Sequence, residues 1–137
     1  MTVIDLQTIR YINLLDAASR VKTRKCFVYN NTIFFAVPRE LVSRAIGPNA
    51  VNVRNIQKKL EKKVKIIAEA SGISDTERFV QDIVAPVRFV SAEIKDNAIT
   101  ITAGSQSKAA LIGRNRRREA ELKQILKDTF NLELRIV

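Results

Sequence analysis

The sequence contains no histidine, no tryptophan, one cysteine, one methionine, four glycines and three prolines in 137 residues. Each shortage closes off some chemistry. Without histidine there is no imidazole to hold zinc or to act as the base of a Ser-His-Asp triad, and a lone thiol completes no Cys/His pair within one chain. A single cysteine also excludes an intrachain disulfide, which fits a reducing compartment. Cys26 lies in the strand-like run CFVY and is expected to pack as a small buried apolar group. No apolar run approaches the roughly 18 residues that a bilayer span needs. No signal-peptide pattern is read either. A cytoplasmic protein is therefore expected, with no membrane partner.

Acid is the scarce charge. Asp and Glu number 14 against 24 Lys and Arg, a formal net charge of +10. Apolar residues reach 46%, enough for a real core and too many for a disordered basic tail. A folded chain with this charge fits a polyanion: nucleic acid or an acidic membrane surface. The apolar faces are needed for the core, which disfavours the membrane.

The pattern of apolar residues divides the chain in two. In IDLQTIRYINLLDAASR, Ile9, Ile12, Leu15 and Ala18 form a helical stripe. CFVYNNTIFFAV reads as strand, tight turn at Asn30-Asn31, strand, because asparagine tolerates the left-handed backbone of a hairpin turn. PRELVSRAIG reads as a short helix with Pro38 near its first turn and a stop at Gly47. VNVRNIQKKLEKK sets Val53, Ile56 and Leu60 on one face of a longer helix, and VKIIAEA reads as a strand. The second half repeats this order. SDTERFVQDIV opens with Ser74 and Glu77 at capping-box spacing. VRFVSAEIKDNAITITA is a hairpin around Asp96-Asn97, and SQSKAALIG is a short helix ending at Gly113. RRREAELKQILKDTF turns Leu122, Ile125 and Phe130 inward, and LELRIV closes the copy. Ile46-Gly47 matches Ile112-Gly113, and Leu60 matches Leu126 at the same offset. The chain is therefore read as a tandem duplication, α-β-β-α-α-β twice, with domains 1–70 and 71–137.

The two copies carry charge differently. Residues 1–70 hold 13 basic and 5 acidic side chains, and residues 71–137 hold 11 and 9. The first copy spreads its charge along Arg54, Lys58, Lys59, Lys62 and Lys63. The second concentrates it at Arg114, Arg116, Arg117 and Arg118. Both deposits fall on the joint glycine's loop or on the helix after it. A turn there exposes the first N–H groups of the second helix, and these, with the helix dipole, favour an anion. Glycine lets a sugar-phosphate backbone approach, and basic side chains add charge-assisted contacts. The plainer role of Gly47 and Gly113 is to cap the preceding helix.

At these residues the chain resembles tandem type II KH domains. AIGPNAVNVRNIQKKL and LIGRN, each followed by the rest of a helix and a strand, carry the resemblance over essentially the whole chain. It is similar to the archaeal NusA-like family of transcription termination and antitermination factors. The resemblance implies an α+β fold of two such domains, each a three-stranded sheet covered by helices. It also implies single-stranded RNA as partner, clamped by a G-x-x-G loop that holds about four nucleotides. RNA polymerase or ribosomal components are the further partners considered. The family loop has glycine at both ends. Here Ala50 and Arg116 take the last position, and alanine is a mild change if the backbone there is helical. The candidate RNA-binding residues are Ile46, Gly47, Pro48, Asn49, Ala50, Arg54 and Lys58 in the first copy. In the second they are Ile112, Gly113, Arg114, Asn115, Arg116, Arg117 and Arg118. Bases are expected on aliphatic positions such as Ile46, Val51, Val53 and Ile112, since the phenylalanines fall in core patterns.

No enzyme is expected, and no cofactor, metal or small-molecule substrate. Asp5, Asp16, Glu40, Asp82 and Glu93 are scattered where caps and solvent exposure explain them. A protein-interaction module of polymerase or ribosome assembly, with weak RNA affinity, is the alternative reading.

Overall fold

The computed structural model describes residues 6–137, so Asp5 lies outside the described residues. The chain separates into two compact units, one ending at Glu69 and the other spanning Ala70–Val137.

In the first unit helix α1 (Leu6–Ser19) leads into strands β1 (Lys25–Tyr29) and β2 (Thr32–Val37). Asn30 and Asn31 join the strands with φ of 51° and 58°. Two successive left-handed residues make the turn that matches strand twist, and asparagine adopts that backbone at low cost. Pro38 precedes a single 3₁₀ turn (Arg39–Leu41), which runs into α2 (Val42–Ile46). Helix α3 (Val51–Leu60) and strand β3 (Lys63–Ala68) complete the unit. The sheet order is β1-β2-β3, with β1 antiparallel and β3 parallel to the central strand. The parallel pairing follows from the two-helix crossover that connects β2 to β3. On the helix side, Ile33, Phe35 and Val37 of β2 join Tyr11, Leu15, Ala45, Ile56, Val64 and Ile66 in one cluster. On the other face the Phe34 ring stacks on Phe27 at 5.4 Å. Cys26 is half-buried at the edge of the cluster.

The second unit repeats the plan: α4 (Thr76–Val84), β4 (Ser91–Lys95), β5 (Ala98–Thr102), α5 (Ser105–Ile112), α6 (Arg117–Phe130) and β6 (Glu133–Ile136). Asp96 and Asn97 form its hairpin turn with φ of 52° and 60°. Strand β5 is central, antiparallel to β4 and parallel to β6. Leu122 and Ile125 of α6 are buried, and Phe130 meets Phe79 of α4 edge-on at 5.7 Å.

Two local expectations need correction. The buried stripe of α1 is Tyr11, Leu15 and Ser19, whereas Ile9 is 43% exposed and Ala18 is also outside. Tyr11 lies one turn from Leu15 on the face that meets the core cluster, and its hydroxyl accepts a hydrogen bond from Gln7 at 2.7 Å. Ser19 can be buried because its hydroxyl donates to the Leu15 carbonyl at 2.7 Å. The capping box of Ser74 and Glu77 does not form. A 3₁₀ turn (Ile73–Asp75) precedes α4, and Asp75 accepts instead from Arg78 and from the Ser71 N–H. Arg78 also reaches Asp82 at 2.7 Å, one turn further on. The two carboxylates hold the Arg78 guanidinium above its ordinary range, the Asp75 bond being the larger cause and partial burial opposing it.

Candidate nucleic-acid interface

The joint between α2 and α3 starts with Gly47, whose N–H donates to the Ser43 carbonyl at 2.9 Å and so closes the preceding helix. Its φ of 82° and ψ of 165° lie in a region that only glycine occupies freely. Pro48 follows, and then Asn49 and Ala50 are both left-handed, with φ of 54° and 57°. The second joint is built the same way. Gly113 donates to the Ala109 carbonyl at 2.9 Å, with φ of 75° and ψ of 173°. Asn115 and Arg116 are left-handed, with φ of 55° and 58°.

This geometry corrects the expectation for the last loop position. Ala50 and Arg116 do not sit in right-handed helical backbone, so each carries a conformational cost of roughly 1 kcal/mol that a glycine would not. It also narrows the set of open N–H groups. Ala50 and Arg116 donate back to the carbonyls of Gly47 and Gly113 at 3.0 and 3.2 Å. Val51 and Arg117 donate to Pro48 and Arg114 in turn. No side chain caps the start of α3 or α6.

Both glycines face a side chain of the following helix. A Cβ on Gly47 would lie 2.8 Å from the Asn52 amide, and one on Gly113 would lie 2.6 Å from Arg118 Cγ. Asn52 and Arg118 occupy the same place in the two copies. Asn52 donates to the Arg44 carbonyl at 3.2 Å and ties α3 back to α2. Arg118 is tucked against its glycine, with 14% of its side chain exposed and an ion pair to Glu121 at 2.7 Å. The i,i+3 spacing of Arg118 and Glu121 signals their ion pair, but not the contact with Gly113, since Arg116 and Glu119 share that spacing and Arg116 stays exposed.

The four arginines of the second loop are therefore unequal. Arg116 pairs with Glu119 at 3.1 Å and Arg118 with Glu121, whereas Arg114 and Arg117 are exposed and make no ion pair among the described residues. In the first loop Pro48 and Asn49 are exposed beside half-buried Gly47 and Ala50, and Arg54 stands one turn into α3. The structure does not bring Lys58 to this loop; it lies about two turns from the start of α3. Of the aliphatic positions, Ile46 and Val53 are partly spent on the core, Ile112 is half-buried, and Val51 is 37% exposed. No helix among the described residues is long and apolar enough to cross a membrane.

Two αββααβ units, each carrying the same glycine joint, define a mixed α+β chain that fits a two-domain KH-like fold. No family model matches the sequence. The probable transcription termination protein NusA of Halococcus morrhuae is 27% identical over 101 residues, 74% of this chain and 70% of that protein. The crystal structure of APE1850 superimposes with a TM-score of 0.67 over 98% of this chain and all of its own, at 24% identity.

Proposed function

We propose that the chain is a non-catalytic RNA-binding protein of the NusA-like kind, acting in transcription termination or antitermination. In this reading the units are two tandem type II KH domains, and each glycine joint grips the backbone of single-stranded RNA. The observation that carries it is the joint built twice with one backbone: a positive-φ glycine, two left-handed residues after the next position, and a helix start with no side-chain cap. Exposed Arg114 and Arg117 supply charge at the second joint, and Arg54 does so at the first. The resemblance of sequence to the halococcal protein supports the transcriptional role.

The test is fluorescence anisotropy with a pool of single-stranded RNA oligomers across a salt series. Arg114→Gln/Arg117→Gln removes the free charge of one loop. Asn49→Asp places a carboxylate in the other without disturbing a left-handed position, since aspartate tolerates it. Loss of affinity in either variant supports the reading; a wild-type protein that binds no RNA at low salt overturns it.

A second reading is favoured by the ion pairs of Arg116 and Arg118 to Glu119 and Glu121 of α6, which offset part of the second loop's charge. A protein-interaction module of RNA polymerase or the ribosome would retain the fold with such a weakened loop. Partner capture that survives Arg114→Gln/Arg117→Gln, with no RNA bound, would favour it.

A further inference from the structure

We propose that the seam between α1 and α3 of the first unit is a second nucleic-acid contact, which receives the phosphodiester backbone of an RNA beyond the stretch held at the glycine joint. The proposal rests on the RNA-binding reading above. The seam is an open groove of about 420 Å³ lined by Ala17, Ala18, Asn55, Lys58 and Lys59. The two alanines are exposed and form a shallow floor with nothing beyond Cβ. Lys58 and Lys59 make no ion pair among the described residues, and α3 contains no acidic residue. Asp16, the acid of α1, lines a different groove together with Lys22, Arg24 and Lys25.

The second unit differs at the corresponding sequence positions. At the matching positions α6 carries Glu121, Gln124 and Ile125, and Ile125 is buried. The last turn of α4 presents Ile83 and Val84, both buried, where α1 ends in alanines and a serine. Lys58 and Lys59 are exposed and stand outside the core cluster, so packing does not require them. The C-terminal end of a helix favours a cation, and α6 meets that preference with Lys127 alone. The first unit has Lys58, Lys59, Lys62 and Lys63 at the same end, relieved by Glu61 only. The excess is a row of exposed point charges beside a floor that a ribose-phosphate chain can approach closely. Lysine binds phosphate in this manner, without the planar fork that reads one geometry. An acidic protein partner would be expected to find an aromatic or large aliphatic anchor at such a centre, and the alanines offer none.

The experiment uses the full chain, a hexanucleotide and an unstructured RNA of about 20 nucleotides, the shorter only a little longer than the stretch one KH loop holds. Lys59→Gln removes one charge of the seam. Ala17→Glu places a carboxylate on its floor and leaves every lysine in place. Neither change touches a glycine joint, and both positions are exposed helix surface on which glutamine and glutamate are good helix formers. Both variants should bind the hexanucleotide within twofold of wild type. They should bind the longer RNA about three- to tenfold more weakly, with the log-log salt slope reduced by about 0.7 for Lys59→Gln. Unchanged affinity for the longer RNA overturns the seam and leaves the RNA reading standing. Equal loss on both RNAs also overturns it, because the seam would then not be a separate contact. If wild type binds neither RNA, both readings fall. If polyglutamate binds with comparable affinity and is weakened equally by Lys59→Gln, the occupant is an acidic polypeptide and the proposal is wrong.

Discussion

At the scale of single residues, each glycine joint is a compromise between shape and sequence. Gly47 and Gly113 occupy backbone that a Cβ would strain, whereas Ala50 and Arg116 accept a left-handed conformation that glycine would adopt more easily. Replacing Ala50 or Arg116 with glycine should therefore stabilise the protein by about 0.5–1 kcal/mol, the left-handed penalty less glycine's greater unfolded-state entropy. The second case also loses the Arg116–Glu119 pair, in which the guanidinium is exposed but the carboxylate is largely covered, so Ala50→Gly is the cleaner test. Urea unfolding of each variant checks the sign, and a fall in midpoint would refute the argument. Gly47→Ala should do the reverse and cost roughly 1–3 kcal/mol. For that reason charge variants at Asn49 or Arg114 are safer probes of binding than substitutions of the glycine itself.

At the scale of elements, the repeated leucine shows how alike and how different the copies are. Leu126 is fully buried in α6, while its counterpart Leu60 is only half-buried at the end of α3. Leu126→Ala should cost about 2–5 kcal/mol, and Leu60→Ala distinctly less. Chemical denaturation of both variants tests the ordering. Helix α4 offers another test. Arg78 bridges Asp75 and Asp82 while its guanidinium lies 5.9 Å from the Phe79 ring centre. Its side chain is 29% exposed, so the bridge is only partly screened. Arg78→Ala should lower stability by about 1 kcal/mol, read in the same way.

Elements were also where the sequence was most readable. Asn30-Asn31 and Asp96-Asn97 announced hairpins because few residue pairs suit two left-handed positions in a row. Gly47 and Gly113 marked helix ends for the same reason. The stripe of α1 was misplaced because Ile9 and Ala18 have the right character and the wrong angle. Burial there is decided by the sheet beneath, which the sequence of one helix does not contain. Ser74 lost its capping role because it lies inside a 3₁₀ turn, and Asp75 at the helix start bonds Arg78 locally, three residues on. Within the candidate site, the loop positions were legible from the glycines. The bracing role of Arg118 and the distance of Lys58 from the loop were not, because both depend on the direction in which a side chain leaves its helix.

At the scale of the whole molecule, two copies of one plan divide the work of charge differently. The second places free arginines on a loop, and the first draws its lysines out along a helix. If four to six phosphates are neutralised, the log-log salt slope of RNA binding should be about −3 to −4 for a single strand. Arg114→Gln/Arg117→Gln should reduce that slope by about 1.4 if both side chains touch phosphate. A titration from low to moderate salt measures both values, and a slope near zero in the wild type would exclude a phosphate-led contact.

The parallel pairing of β2 with β3 has a consequence for how the protein is made. Strand β2, TIFFAV, is buried along its whole length, and one of its edges is satisfied only by Lys63–Ala68. A ribosome delivers the hairpin first and that partner strand only after α2 and α3 have emerged. During that interval the most apolar strand of the unit shows an open edge to every other nascent chain. The adjoining β1 begins with lysine, and α3 and the turn after it bring further lysines before the edge is closed. Like charges on these segments oppose edge-to-edge pairing of two unfinished copies.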